Sequence, residues 1–411
     1  VKRRPAPTIV KDVLAYWGQE RRTLRQGFAA LGISTGVGMG AGVVLASMEG
    51  LLGSLPGLLL LVPAAIGMRG AIFGALAARL GTGIMTGQFS PTWDRRSFAV
   101  QNVEASALLT LFSSALAAVA ARVVAGAFGL PSIDLWKLMT ISMVGGILSS
   151  IVILMVVLVL ARTAQAREWD MDAIGAPLVT TVGDIVTLPA LVIGTFIIRN
   201  DVVSTVGGVA LLLLGAYGVW QGTRSQGAIT RRIVTESMPV LVFAATVDIL
   251  AGGVLETRVT DFIASPALLV LIPPFIANCG SLGGILSARL GSDLHTGLVE
   301  PRRLPQKQAL LQGSITVLFS LAAFTGVGLI AHVASLLFGF SSPGLVAMVG
   351  VALAAGLLAL VLLFFVAYYA ATATYRFGLD PDNHGIPIVT ATMDLLGVLC
   401  LVAAIVSFGV T

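Results

Sequence analysis

The sequence predicts an all-α polytopic membrane protein: two parallel five-helix repeats joined by a linking transmembrane helix, about eleven transmembrane helices in all. Three observations carry this reading. Apolar residues are gathered into stretches long enough to cross a bilayer, basic residues gather in alternate connections, and two polar motifs recur at one fixed offset.

Charged residues are 11% of the 411 and hydrophobic ones 56%, with a mean hydropathy of +0.96. A soluble chain of this size carries roughly a quarter of its residues as charges. The deficit falls in long apolar runs, and about 20 such residues span the hydrocarbon core. No water is available there for backbone groups, so each run is expected to be helical. The short alternating segments of a β-barrel are not evident. A window of about 19 residues places spans near 28–48, 57–80, 100–129, 136–161, 175–198, 203–220, 236–256, 266–290, 308–338, 342–373 and 386–410.

The net charge of +5 does not indicate nucleic acid, because the charges are sorted by connection. With the N-terminus inside, inner segments hold Arg95, Arg96, Arg162, Arg167, Arg224, Arg231, Arg232, Arg302, Arg303, Lys307 and Arg376, besides the basic residues before Gly27. Outer segments hold Arg122, Lys137, Arg199 and Arg258. This predicts a cell-membrane protein with its N-terminus cytoplasmic and its C-terminus outside. The chain opens on a basic stretch and not on a cleavable signal pattern. Val10, Val13, Leu14 and Trp17 share one helical face, which reads as an interfacial helix. Cys279 and Cys400 lie in apolar runs and read as small core residues.

The duplication is visible in polar letters. LVPAAIGMRGAIFGALAARLGTGIMTG from Leu61 aligns with LIPPFIANCGSLGGILSARLGSDLHTG from Leu271, and DMDAIGAPLVTTVGD from Asp170 aligns with DPDNHGIPIVTATMD from Asp380. Both alignments have an offset of 210 positions, as position 63 against 273 and 170 against 380 show. Chance matches in apolar sequence do not supply Asp, Asp, Gly, Pro, Thr and Asp at one spacing. The expected layout is an N-terminal cytoplasmic or interfacial segment at 1–27, a first repeat at 28–198, a linking helix at 199–235 and a second repeat at 236–411. An unpaired linking span makes both repeats run the same way, about a pseudo-two-fold axis along the membrane normal.

An ionisable residue deep in a span costs at least about 2.5 kcal/mol and marks a functional site by default. Asp184 and Asp394 are such residues and correspond by the repeat. Each lies about twelve residues, roughly 18 Å of helix, beyond the acid at the inner end of its span. They are expected to face each other across the axis near the bilayer midplane. Facing carboxylates repel unless a cation lies between them, and Mg²⁺, which keeps several waters and uses one or two carboxylates, suits such a site. Thr180 and Thr390, one turn before the aspartates, and Thr187, a turn after Asp184, add hydroxyls to that face. The alternative is a structural ion pair or a protonated, hydrogen-bonded aspartate.

At the mouths stand Asp170 and Asp172, with Glu168, and Asp380, Asp382 and Asn383, with His384. Acids at an entrance concentrate cations, though Asp-Pro-Asp-Asn is also a turn sequence in its own right. Gly32, Gly36 and Gly40, then Gly67, Gly70 and Gly74, then Gly280, Gly283 and Gly284, let helices approach closely. Pro63, Pro273 and Pro274 are expected to break their helices and free carbonyls at membrane depth. Asp248 stands where the other repeat has Gly38, and Arg69 where it has Cys279. They are expected either to pair with each other or to leave Asp248 as a third cation ligand or gate, with Arg69 a structural counter-charge. The three histidines are scattered, which argues against a transition-metal site, and no Walker A, GxSxG or HExxH motif indicates an enzyme.

The Pro-x(3)-Gly-x-Arg-Gly element with its Ala-Arg-Leu tail, Pro63 to Leu80, and its second copy Pro273 to Leu290, resemble the membrane domain of MgtE-type magnesium transporters. With Gly-x-Pro-x-x-Thr-x(3)-Asp at 175–184 and 385–394, the chain is most similar to the duplicated form, solute carrier family 41. The resemblance implies transport of Mg²⁺ or a related divalent cation between the halves, with Asp184 and Asp394 at the family's pore aspartate. Ala71 and Ser281 stand where that family usually has Asn, which puts ion choice and pore hydration in question. The cytoplasmic regulatory domains of bacterial MgtE have no counterpart here, so gating of that kind is expected to be missing. The expected partners are a divalent cation, Mg²⁺ as transported ion, and the lipid bilayer, with the chain a monomeric pseudo-dimer open to further association. Two other readings are a Na⁺- or H⁺-coupled exchanger, with Asp248 as coupling site, and a non-transporting scaffold or receptor. A flux that responds to a pH or Na⁺ gradient favours the first; aspartate substitutions that affect assembly alone favour the second.

Overall fold

The computed structural model describes residues 6–89, 94, 96–167, 171–378 and 385–410. Its described secondary structure is helical. In chain order the helices are α1 (Ala6–Gln19), α2 (Arg21–Ser47), α3 (Glu49–Ser54), α4 (Leu58–Met85), α5 (Phe98–Phe128), α6 (Leu135–Arg167) and α7 (Met171–Ile197). There follow α8 (Asp201–Thr223), α9 (Ala228–Glu256), α10 (Val259–Ala264), α11 (Ala267–His295), α12 (Lys307–Phe338), α13 (Leu345–Phe377) and α14 (Ile386–Phe408). Eleven of them are long and apolar enough to cross a membrane, and each contains or overlaps one of the spans expected from hydropathy.

The duplication is carried into the helix boundaries. α3 and α10, and α6 and α13, begin and end 210 positions apart. α8 stands between the two sets of corresponding helices. Helix ends repeat too: Gly129 closes α5 and Gly339 closes α12 with φ of 63° and 75°, a left-handed turn open to glycine without steric cost. At the opposite ends, Ser97 caps α5 by accepting from the Val100 N–H, and Asn200 caps α8 by accepting from Val202 and Val203.

The chain folds into two compact units that do not coincide with the two repeats. One comprises 1–42 and 267–411, the other 43–266. The first span of each repeat is thus assigned with the later spans of the other. In the 43–266 unit, α9 crosses α4 so closely that a Cβ on Gly252 would meet the carbonyl oxygen of Leu60. In the other unit α2 crosses α11 in the same register, with Gly42 against the carbonyl of Val270 and Gly38 against Pro274. Glycine at both crossings allows backbone-to-backbone contact. α8 packs in the 43–266 unit through Gly208, Gly215, Gly218 and Gly222, which face Trp136, Ala115, Leu111 and Val234.

Two expectations are corrected. The prolines do not break their helices: α4 runs on through Pro63, and α11 through Pro273 and Pro274. Each proline lies within two turns of its helix start, so only the carbonyls of Leu59, Leu269 and Val270 lose an intrahelical donor. That of Val270 is the one Gly42 lies against. Nor does Arg69 pair with Asp248. Its guanidinium donates to the hydroxyls of Ser113 (3.3 Å) and Ser114 (2.6 Å) on α5.

Candidate cation site

The site is built from the second and fifth spans of each repeat. In the 43–266 unit these are α4 and α7. Gly70 and Gly74 lie one turn apart on α4, and a Cβ on either would come within 3.5 and 3.7 Å of the Thr180 methyl. Thr180 and Asp184 are both partly exposed and stand one turn apart on α7. Among the described residues, nothing hydrogen-bonds or pairs with Asp184. Thr187 spends its hydroxyl on the Gly183 carbonyl at 2.7 Å and is buried, so it does not extend the polar face.

The second unit repeats the arrangement on α11 and α14. Gly280 and Gly284 face Thr390, and the Asp394 carboxylate would lie 3.3 Å from a Cβ on Gly280. The absence of a side chain at Gly280 is what leaves that carboxylate its room. Thr390 donates to the Pro387 carbonyl at 3.1 Å, leaving its oxygen lone pairs as acceptors. Cys279, next to Gly280, packs its thiol against Gly397 and lies close enough to Asp394 for the two to interact electrostatically.

The two aspartates therefore sit in the same local frame, one in each unit: a glycine pair on the second span, and a threonine one turn before the acid on the fifth. The threonine and the aspartate of each frame present oxygen atoms, the donor type that hard cations take. Of the mouth residues, Asp170, Asp380, Asp382 and Asn383, with Glu168 and His384, lie outside the described residues. Asp172 falls in the first turn of α7, and its side chain is likewise outside the description. Asp248 is on α9, 1% exposed, with its carboxylate against Gly67 of α4.

Three polar features were not anticipated. Ser113 and Ser114 form a buried cradle for Arg69, and Ser142 donates to the Ser114 carbonyl at 2.7 Å. Asn278 of α11 donates to Thr35 (3.0 Å) and to the Pro274 carbonyl (2.7 Å). Glu256 ends α9 by accepting the Gly57 N–H at 2.7 Å, capping the start of α4. A search for polar letters at mid-span would have found the first two; the third needs the crossing of α9 over α4. α1 is held to its unit by Trp17 on Ser314 and by Arg289, which reaches Tyr16 and Glu20. Burial pushes the Tyr16 phenol above its ordinary value, so it stays protonated.

Comparison with known proteins agrees with this architecture. The family model for MgtE, divalent cation transporter, matches residues 62–194 and 272–404, two stretches again 210 apart. Solute carrier family 41 member 3 of Mus musculus is 24% identical over 358 residues, covering 83% of this chain and 73% of that protein. Solute carrier family 41 member 2 of Homo sapiens is 24% identical over 374 residues, covering 83% of this chain and 62% of its own length. No solved structure matches the chain.

Proposed function

The chain belongs to the MgtE family of divalent cation transporters, and from that premise we propose that it carries Mg²⁺ across the membrane on a site formed by Asp184 and Asp394, with Thr180 and Thr390 beside them. The observation that supports the assignment is the repeated frame: both aspartates follow a threonine that faces a glycine pair. A hydrated Mg²⁺ is recognised by few carboxylates and several water-mediated oxygens. Partly exposed acids flanked by hydroxyls and bare glycine backbone supply such a surface. Each pseudo-symmetric repeat contributes one such acid, and two carboxylates match the charge of a divalent ion. Acids at the mouths, Asp170, Asp172, Asp380 and Asp382 with Asn383, raise the local cation concentration.

The test is Mg²⁺ flux in liposomes reconstituted with the full chain. Asp184→Asn and Asp394→Asn are each expected to reduce flux at least tenfold, about 1.4 kcal/mol or more in the barrier, while the protein elutes as wild type. Flux unchanged in both variants would remove the aspartates from the ion path.

A further inference from the structure

One face of α13 runs unbroken from the apolar middle of the span to its charged end. Leu358, Leu362, Phe365 and Tyr369 are exposed on it, and Arg376 is exposed beyond them. Their spacing of i, i+4, i+7, i+11 and i+18 keeps all five in one stripe. α13 is one of the helices long and apolar enough to cross a membrane, so its exposed apolar stripe lies against acyl chains. A tyrosine followed by an arginine is the order expected where hydrocarbon gives way to headgroups.

The connection before α12 is laid against the charged end of this stripe. Tyr369 donates to the Arg303 carbonyl at 3.1 Å, and Tyr368 to the carbonyls of Arg302 (2.9 Å) and Leu304 (3.3 Å). Arg376 donates to the Pro301 carbonyl. Three side chains of α13 thus grip four successive carbonyls, 301–304. Arg303 is held by its backbone while its side chain is uncommitted: it is exposed, and among the described residues its guanidinium has no hydrogen-bond or ion-pair partner. Leu304 beside it is 76% exposed. Glu300, the acid of this connection, is already engaged by Arg302 at 2.6 Å and by Gln306. The corresponding positions of the first repeat hold Trp93, Val159 and Ala166, so this arginine pair comes with the second repeat.

The chemistry of the place selects its ligand. Arg303 and the remaining donors of Arg376 are planar forks that match phosphate oxygens. The stripe beneath them takes hydrocarbon. A free phosphate ion satisfies the arginines and leaves the stripe unused, and a zwitterionic lipid brings a cation of its own to a basic place. An anionic phospholipid satisfies both parts, and clusters of basic groups at the inner membrane surface attract such lipids. The sorting of charges assigns this end of α13 to the inner side.

We propose that the Arg376 end of α13, with the 301–304 segment pinned to it, binds one anionic phospholipid. Its phosphate lies on Arg303 and Arg376, and its acyl chains lie along Tyr369, Phe365, Leu362 and Leu358. Tyr369 is a positioning residue, holding Arg303 at the top of the stripe.

The test is native mass spectrometry of the full chain in detergent with phosphatidylglycerol, and with phosphatidylcholine for comparison. Wild type is expected to retain one phosphatidylglycerol more tightly than any phosphatidylcholine. Arg303→Gln with Arg376→Gln is expected to weaken that first phosphatidylglycerol about tenfold or more. Arg303→Gln alone, which alters a side chain with no partner in the fold, is expected to weaken it about threefold and serves should the double variant not fold. Arg162→Gln with Arg224→Gln removes the same charge from the other unit and is expected to leave this binding unchanged. No weakening in the Arg303 variants, or equal weakening in the Arg162 and Arg224 pair, would overturn the proposal. A melt in micelles of detergent and phosphatidylcholine then separates the two sources of phosphate. Phosphatidylglycerol is expected to raise the Tm of wild type and inorganic phosphate to leave it in place; an equal rise with inorganic phosphate would overturn the lipid assignment.

Discussion

Around Gly146 in one unit and Gly356 in the other, the same helix position is packed with opposite materials. Gly146 lies against Ser114 and the guanidinium of Arg69. Its counterpart Gly356 lies against the ring of Phe324, which stands 210 positions after Ser114, and Arg69 is replaced by Cys279. Arg and Ser stand in one unit at the positions where Cys and Phe stand in the other. A similar exchange occurs at the first-span crossings. Thr35 and Asn278 bond in one unit, where the other has Ala245 and Met68; Asp248 and Gly67 meet in the other, where the first has Gly38 and Ala277. The frame of glycine, threonine and aspartate is common to both. The duplicated copies have diverged in the packing behind that frame: the 43–266 unit buries Arg69, Asp248 and Glu256, and the other unit buries Asp293.

The largest expected effect tests the size exchange. Arg69→Cys leaves a cavity in a fully buried site and is expected to cost about 3 kcal/mol in thermal stability. Ser114→Phe alone drives a ring into the guanidinium. The double variant re-creates the packing of the other unit, and a favourable coupling of about 2 kcal/mol is expected from the double-mutant cycle. Strictly additive losses would contradict the equivalence of the two fillings.

Smaller and symmetric losses are expected from Gly42→Ala and Gly252→Ala, because each Cβ would strike a backbone carbonyl that has no alternative rotamer. Overpacking of this kind costs about 2 kcal/mol. A melt showing one variant damaged and the other indistinguishable from wild type would break the correspondence of the crossings. The smallest change is expected from Thr35→Ala with Asn278→Met, which copies Ala245 and Met68. Removing both partners of a buried hydrogen bond is nearly neutral, so the melt should stay within about 1 kcal/mol of wild type.

Much of this was legible before any coordinates. Hydropathy located all eleven spans because the bilayer imposes one length on each of them, and polar letters in the apolar background exposed the offset of 210. The exchange of first spans was not legible. A repeat says which residues correspond, not which copy of a helix packs against which partner. α3 and α10 escaped notice because six residues carry no periodic signal. α9 begins at Ala228, ahead of the apolar run at 236, because Arg231, Arg232 and Glu236 lie on an exposed face while Thr230, Ile233 and Val234 are buried. Helix breaking at the prolines was overestimated because the effect depends on distance from the helix start, which the sequence left open. Asp184 and Asp394 were singled out from charge in apolar surroundings alone; the contacts of Arg69 and Asp248 required their neighbours.

The central claim is that one divalent ion is shared by repeat-equivalent aspartates. Mn²⁺ in place of Mg²⁺, located by anomalous scattering in a crystal of the full chain, tests it most directly. The account predicts a peak within about 2 Å of a carboxylate oxygen of Asp184 or Asp394 if ligation is direct, or about 4 Å if a water intervenes, lost in the double Asn variant. A peak elsewhere in the spans that survives that variant would contradict it.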